Sequence, residues 1–277
     1  MHQTTTRTLS LLLLSLCFSF LAQAQMIWPG DINNNGIVNG VDFLYWGVAN
    51  QAAGPNRPDG TTVWQEQAMG NPWTQQFPES TNYAYADANG NGQIDANDAD
   101  ALSQNFGLVH GTQTPDNYQS TLQPDAMVPR MLFSQEENEA VSEQAAEVIF
   151  ALVEGTFDAL YGLTFTLNYH PGILQAEDGL LVSLSSQSFF NPDNTGVAAF
   201  VQNNTAAGTA TVTLVRTDQT DVSGSGKIAR FILNFADLTL PDTPDELAFS
   251  VTNIMGIDSE MNSVEVASGT MLFTNSG

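Results

Sequence analysis

The chain has a single cysteine and few basic residues, with six Lys and Arg side chains against 30 Asp and Glu side chains. The formal net charge is −24, and a surface this acidic repels nucleic acid and anionic membranes. One cysteine cannot form an internal disulfide, so stability must come from packing or from a bound metal. Beyond the N-terminal segment, no apolar run is long enough to span a membrane.

The N-terminal segment has the features of a secretory signal peptide. Arg7 supplies a positive charge, an apolar stretch follows, and Ala22–Ala24 includes an A-x-A cleavage site. Leu16 precedes Cys17, where a lipidation site needs a small residue, so cleavage is favoured over a lipid anchor or an uncleaved leader. We therefore predict a signal peptide over residues 1–24 and a secreted, extracellular protein, with association to a cell surface left open.

A change of composition near residue 110 divides the mature chain. Residues 25–110 are dense in Asn, Gly, Asp and Trp, and the polar segment 111–130 is predicted to be a linker. Residues 131–277 contain short Val-, Phe-, Leu- and Thr-rich stretches separated by turn residues, the spacing of an antiparallel sandwich. In residues 163–169, alternate Leu, Phe, Leu and Tyr would face inward, and the Thr and Asn residues between them would face water. The predicted fold is mainly β, with a small α-helical module before a β-sandwich.

Two twelve-residue segments, at 31–42 and 87–98, have the ligand pattern of an EF-type calcium loop. Such a loop has oxygen ligands at positions 1, 3, 5, 9 and 12, a backbone carbonyl ligand at 7 and glycine at 6. The predicted ligands of the first loop are Asp31, Asn33, Asn35, the carbonyl of Ile37, Asn39 and Asp42. The predicted ligands of the second are Asp87, Asn89, Asn91, the carbonyl of Gln93, Asp95 and Asp98. We predict two bound Ca²⁺ ions.

The alternative is that these Asn- and Gly-rich segments are only tight turns, because both residues tolerate left-handed backbone conformations. Two complete matches in one chain favour calcium. The first loop contains two carboxylates and the second contains three. Because ligand charge raises affinity for a hard cation, the loop sequences predict tighter binding by the second loop.

Each loop is followed by a predicted exit helix, at 41–49 and at 97–106. No entering helix fits before the first loop, because Pro29 and Gly30 stand directly before Asp31. This duplicated loop-plus-helix unit resembles the dockerin module of bacterial polysaccharide-degrading complexes, whose repeats begin with Gly-Asp and end their loop with Asp.

The dockerin resemblance covers about residues 29–110 and implies a calcium-folded module that binds a sandwich domain. The loop starts at 31 and 87 are 56 residues apart, wider than the usual spacing of the family. Dockerins often place Ser or Thr at loop positions 10 and 11 for partner recognition. Those positions hold Gly40, Val41, Ala96 and Asn97 in this chain.

The insertion between the two copies, residues 50–85, contains Trp64, Trp73 and Phe77. Exposed tryptophans could stack on sugar rings. Aromatic side chains in such a segment more often cover a small core, and packing is the favoured interpretation.

Two later passages, at 161–174 and 215–235, resemble stretches of cohesin domains, which are the receptors for dockerins. The first is YGLTFTLNYHPGIL, and the second has a Ser-Gly-rich turn that leads into the long apolar strand IARFILNF. The likeness extends over about residues 130–275. It implies a nine-stranded jelly-roll sandwich that binds proteins on one sheet face, although related sandwiches bind carbohydrate instead.

No motif in the sequence indicates catalysis. The two histidines of the mature chain, His110 and His170, have no recognisable nucleophile beside them in the sequence. The GSGK run at 224–227 has Asp221 where a phosphate-binding loop needs its first glycine, so it is interpreted as a turn. We predict that the protein is not an enzyme.

These resemblances imply a secreted, non-catalytic interaction protein that takes part in extracellular assembly, with polysaccharide degradation as the expected setting. Its partner would be an extracellular protein with a complementary cohesin or dockerin module. The alternative is a carbohydrate-binding cell-surface adhesin, with polysaccharide as the ligand and calcium as structural support. A third possibility is that the two modules pair with each other, within one molecule or between copies. Neither nucleic-acid binding nor membrane insertion is expected.

Overall fold

The computed structural model describes residues 25–118, 128–135, 147–184, 188–193, 196–236, 246–267 and 269–274. The predicted signal peptide lies outside these residues, as does the part of the predicted linker from 119 to 127. Within the described ranges, no helix is long and apolar enough to cross a membrane.

Two ten-residue helices follow the two loops, as predicted. Helix α1 spans Gly40–Ala49 and helix α2 spans Ala96–Asn105. Each begins with a capping box, in which loop position 9 is the N-cap and the position 12 carboxylate accepts from the N-cap backbone N–H. The chain enters the first loop from a short strand, β1 (Met26–Ile27), and a turn. The predicted absence of an entering helix there is therefore confirmed.

Backbone hydrogen bonds connect the two loop–helix units reciprocally. Val38, at position 8 of the first loop, donates to the carbonyl of Leu108 beyond α2 at 3.1 Å. Ile94, at position 8 of the second loop, donates to the carbonyl of Ala52 beyond α1 at 2.9 Å. Each loop therefore pairs with the segment that follows the helix of the other unit.

The insertion between the two units packs against their core. Its strand β2 (Gln67–Ala68) pairs with β1, and a 3-10 helix covers Tyr83–Tyr85. Trp73 and Phe77 are buried in the same hydrophobic cluster as the helices. The packing interpretation is confirmed for these two side chains, whereas Trp64 is only partly buried.

The β-sandwich consists of two antiparallel sheets. Its strands are β3 (Arg130–Gln135), β4 (Glu147–Leu160), β5 (Gly162–Asn168), β6 (Leu180–Ser183), β7 (Val197–Asn204), β8 (Thr209–Arg216), β9 (Val222–Leu233), β10 (Glu246–Ile257), β11 (Ser263–Val264) and β12 (Thr270–Thr274). One sheet has the order β3-β4-β9-β6 and the other β11-β10-β5-β8-β7, with β12 also on β10. The predicted mainly β fold is confirmed. The described part of the sandwich has ten strands and not nine, because β11 and β12 pair with opposite ends of β10.

The strand pattern predicted the inner face of the sandwich correctly and its outer face only in part. Leu163, Phe165 and Leu167 are buried between the sheets. Thr164, predicted to face water, is 2% exposed, and Thr213 on the neighbouring strand is fully buried. The prediction of a solvated outer face is wrong at this position, because α1 covers the sheet there.

Candidate functional site

Helix α1 lies against the outer face of β5 and β8 through two glycines. A Cβ atom at Gly40 would stand 2.5 Å from Thr164 Oγ1, and one at Gly47 would stand 2.5 Å from Val215 Cγ1. The glycines are seven residues apart and therefore lie on the same face of the helix. Glycine inside a helix costs about 1 kcal/mol relative to alanine. Glycine is nevertheless favoured at position 47, because a larger side chain would prevent the close approach of the helix to the sheet.

The sandwich also provides hydrogen-bond donors for the carbonyl groups of α1. The Tyr161 hydroxyl donates to the Gly47 carbonyl, and the Gln219 side chain donates to the Val48 carbonyl, each at 3.1 Å. The last carbonyls of a helix have no partner within the helix itself. Residues of the sandwich therefore satisfy carbonyl groups at the C-terminal end of α1.

Aromatic side chains extend this contact into a shared core. The Phe200 ring, on β7, lies 5.1 Å from the Phe43 ring of α1 and 5.6 Å from the Phe106 ring after α2, measured between centroids. Tyr161 and Val215 of the sandwich belong to the same buried cluster. The hydrophobic core of residues 25–110 thus continues onto the sheet.

The first loop encloses two fully buried carboxylates, Asp31 and Asp42. Asp31 accepts backbone N–H groups from loop positions 5 and 6, and its Oδ2 lies 2.6 Å from His110 Nε2. Burial raises the pKa of Asp31, and the hydrogen bond with His110 opposes that shift. Burial, reinforced by the charge of Asp31, holds the pKa of Asp42 well above its usual value. Burial therefore disfavours the ionised form of both carboxyls unless a cation compensates for it.

The second loop repeats this arrangement. Asp87 Oδ2 accepts the Gly92 N–H at 3.1 Å, and Asp98 accepts the N–H groups of Asn89 and Asp95. Burial raises the pKa of Asp87, and it raises the pKa of Asp98 to about 7. Among the described residues, no group forms a hydrogen bond of normal geometry with the buried Asp87 Oδ1, although the backbone N–H groups of Gly90 and Asn91 lie near the Asp87 carboxyl. A buried oxygen without a good hydrogen bond is costly unless a ligand satisfies it, and a cation would do so.

The other predicted side-chain ligands form hydrogen bonds with the backbone of their own loops. Position 3, 5 and 9 side chains each accept the backbone N–H two residues further on: Asn33, Asn35, Asn39, Asn89, Asn91 and Asp95. Ile37 and Gln93, at position 7, form isolated bridges with Val109 and Ala53. In the described part of the chain, no three His, Cys, Asp or Glu side chains group into a metal cluster. A bound ion would therefore depend on amide and backbone carbonyl oxygens as well as carboxylates, which suits Ca²⁺.

Arg57, in the insertion, contacts the second loop and was not singled out from the sequence. Its side chain is 7% exposed, and its Nη2 donates to the carbonyls of Asp87 at 2.8 Å and Ala88 at 3.0 Å. The loop pattern does not include this residue. One signal was available, since Arg57 is the only Lys or Arg in residues 25–118.

Replacing Arg57 with Met should lower the free energy of unfolding by about 3 kcal/mol, because two buried carbonyl oxygens lose a charged donor. The measurement is urea unfolding of the full chain with calcium present. Arg130→Met removes the same charge from the sandwich and is the matched control. Equal effects of the two substitutions would show that the second loop does not depend on this guanidinium group.

Residues 29–107 match the family model of the dockerin type I domain, and dockerin type I domains bind calcium. A comparison with curated proteins found no match.

Among solved structures, the chain is similar to several that contain cohesin modules. A cohesin module of a family 33 glycoside hydrolase from Clostridium perfringens is 8% identical, with a TM-score of 0.39 over 53% of this chain and 96% of that one. A non-cellulosomal cohesin from the archaeon Archaeoglobus fulgidus is 18% identical, with a TM-score of 0.35 over 52% and 90%. A type I cohesin–dockerin complex from Clostridium thermocellum gives 9% identity and a TM-score of 0.39 over 60% and 99%.

Proposed function

We propose that this chain is a secreted, non-catalytic, calcium-binding interaction protein of the cohesin/dockerin type, in which the two modules act as one unit. The dockerin match at 29–107 supports the interaction role. The observation that carries the proposal is the position of α1, whose Gly40 and Gly47 bring its backbone onto the sandwich. A helix organised by a calcium loop here meets the face of a sandwich, so the third possibility raised by the sequence, pairing within one molecule, is the arrangement we favour.

We further propose that each loop holds one Ca²⁺ ion. The proposed ligands are those predicted from the loop pattern: Asp31, Asn33, Asn35, Ile37 (carbonyl), Asn39, Asp42, Asp87, Asn89, Asn91, Gln93 (carbonyl), Asp95 and Asp98. Two features support this, namely the buried Asp87 Oδ1 without a hydrogen bond of normal geometry and the raised pKa values of the buried carboxyls. The bound ion supplies the positive charge that offsets the burial of these groups.

The proposed domain boundaries are 25–110 for the dockerin-like module, with an insertion at 50–85, then 111–130 for the linker and 131–277 for the sandwich. Because the two modules share a hydrophobic core, we do not expect them to move independently when calcium is bound.

Helix α2 offers the surface on which an external partner could bind. Ala96 and Ser103 stand at the positions that correspond to Gly40 and Gly47, and both are exposed. The proposed partner is an extracellular protein with a complementary cohesin or dockerin module, and the proposed setting is polysaccharide degradation.

A panel of immobilised cohesin and dockerin modules tests this function. The full chain should be captured by at least one module in calcium and released by EDTA. Ala96→Arg should reduce capture without changing the melting temperature, because residue 96 is exposed. Absence of capture by every module, in calcium and in EDTA alike, would count against the assembly role.

An aromatic cluster favours one second candidate, the carbohydrate-binding adhesin. The Trp28 and His110 rings stack with centroids 4.8 Å apart, and the Trp64 ring lies 4.8 Å from Trp28. All three side chains are partly exposed, and such surfaces can stack on sugar rings. A glycan array with the full chain and with Trp64→Ala separates the two candidates. Glycan binding that Trp64→Ala abolishes would favour the adhesin, and an array without signal would favour protein assembly.

A further inference from the structure

A carboxylate from outside the twelve-residue pattern reaches the first loop. Asp116 lies in the segment predicted to be a linker, and its side chain accepts hydrogen bonds from the amide groups at positions 3, 5 and 9 of the loop. The donors are Asn33 Nδ2 at 3.1 Å, Asn35 Nδ2 at 2.9 Å and Asn39 Nδ2 at 2.7 Å. One carboxylate therefore contacts three of the proposed calcium ligands.

The chain leading to Asp116 is fixed along the loop by backbone hydrogen bonds. His110 donates to the carbonyl of Gly36 at 3.0 Å, and Thr114 donates to the carbonyl of Asn35 at 2.7 Å. A Cβ atom at Gly36 would stand 2.8 Å from the His110 carbonyl oxygen, so the contact is close. These bonds hold Asp116 over the loop.

The comparison of charge between the two loops changes when charged side chains from outside the loops are included. The first loop has Asn at positions 3, 5 and 9, whereas the second has Asp95 at position 9. Asp116 adds a third carboxylate beside the first loop. Arg57 adds a positive charge beside the second, where it contacts the carbonyl of Asp87. His110 lies 2.6 Å from Asp31 Oδ2 and is counted as neutral at pH 7. On that count the first loop has the more negative surroundings, contrary to the count within the loops alone.

We propose that Asp116 belongs to the surroundings of the first calcium site, where it holds the side chains of Asn33, Asn35 and Asn39 in place and adds negative charge, and so raises the affinity of that site for calcium. This inference rests on the proposed calcium function. It replaces the sequence-based ranking, because it makes the first loop the tighter site. It also means that occupation of the first loop immobilises the start of the linker.

Calcium titration calorimetry on the full chain tests the role of Asp116. Asp116→Asn should weaken one of two binding steps by about 10-fold to 100-fold, the range seen when a group next to a metal ligand is removed. Asn91→Ala, at position 5 of the second loop, should weaken the other step and so assigns each step to a loop. Asp193→Asn, at an exposed sandwich position, removes the same charge and should alter neither step.

The titration distinguishes failure of the calcium proposal from failure of the role proposed for Asp116. Absence of calcium binding by the unaltered chain would overturn the calcium proposal and this inference with it. Two binding steps that Asp116→Asn leaves unchanged would overturn only this inference. Tighter binding after Asp116→Asn would also overturn it, because Asp116 would then compete with the ion for the asparagine amides.

A second variant separates calcium binding from folding. Asp116→Glu keeps the negative charge and should retain more affinity at the first loop than Asp116→Asn does. Melting of both variants in EDTA measures any purely structural loss. Equal weakening by both substitutions, accompanied by equal loss of stability in EDTA, would show that Asp116 only anchors the chain and would overturn its role in the site.

Discussion

Removing calcium with EDTA should expose the tryptophans of the full chain and shift their emission to longer wavelength. All four tryptophans lie in the N-terminal module: Trp28, Trp46, Trp64 and Trp73. Without the ion, no metal charge offsets the burial of the Asp42 carboxyl or the effect of the neighbouring Asp31 charge on it. Saturation at a thousandfold excess over Kd stabilises a site by about 4 kcal/mol. We expect at least that loss for the module, measured as thermal unfolding followed by fluorescence.

Magnesium provides the control for this experiment. It carries the same charge as calcium but requires near-ideal octahedral geometry and gives up water reluctantly. Millimolar magnesium added after EDTA should therefore restore little of the lost stability, whereas calcium should restore all of it. Emission and melting that are indifferent to EDTA would show that the loops are stable as metal-free turns.

Substituting Gly47 with Leu should separate α1 from the sandwich and destabilise the full chain by about 3 kcal/mol, the upper part of the usual range for overpacking. Val215, which faces Gly47, is fully buried and short, so it cannot move aside. Released modules should also become susceptible to proteolysis between residues 111 and 130. Limited proteolysis and urea unfolding, both in calcium, measure the two effects.

The internal repeat provides a matched control for Gly47→Leu. Ser103 occupies the corresponding position of α2 and is exposed. Ser103→Leu should change the free energy of unfolding by less than about 0.5 kcal/mol, as is usual for surface substitutions. Equal destabilisation by Gly47→Leu and Ser103→Leu would show that the effect comes from leucine within a helix and not from the contact between α1 and the sandwich.

A double-mutant cycle refines the Gly47 experiment. Gly47→Ala should destabilise despite the better helix propensity of alanine, which is worth about 1 kcal/mol, because its Cβ atom meets Val215. Val215→Ala removes the opposing methyl groups, so the double variant should be more stable than the sum of single effects predicts. Strict additivity would indicate that the two residues are not in contact.

The features that could be predicted from the sequence depend on residues that lie close together along the chain. The loops and their exit helices were predictable because positions 9 and 12 of each loop form the capping box of the following helix. The inner face of β5 was predictable from alternation over 163–169. In both cases a short stretch contains the whole signal.

Contacts between distant segments could not be predicted in this way. The bonds from Asp116 to the first loop join residues 77 to 83 positions apart, and no local pattern connects them. Thr164 looked solvated because a strand pattern does not show what covers it. Gly47 would be unfavourable in an isolated helix, and its role is apparent only when β8 is seen beside it. Arg57 is a related case, because the insertion that carries it lies outside both repeats.

The dependence of α1 on donors from Tyr161 and Gln219 has a consequence for the order of folding. Residues 25–110 are synthesised before the sandwich, and N-terminal domains generally fold first. During that interval the last turn of α1 lacks the hydrogen-bond donors that Tyr161 and Gln219 provide, and Phe43 has no Phe200 to cover it. The nascent module is therefore incomplete until the C-terminal part of the chain arrives, and the sandwich acts as an intramolecular folding template for the helix that precedes it.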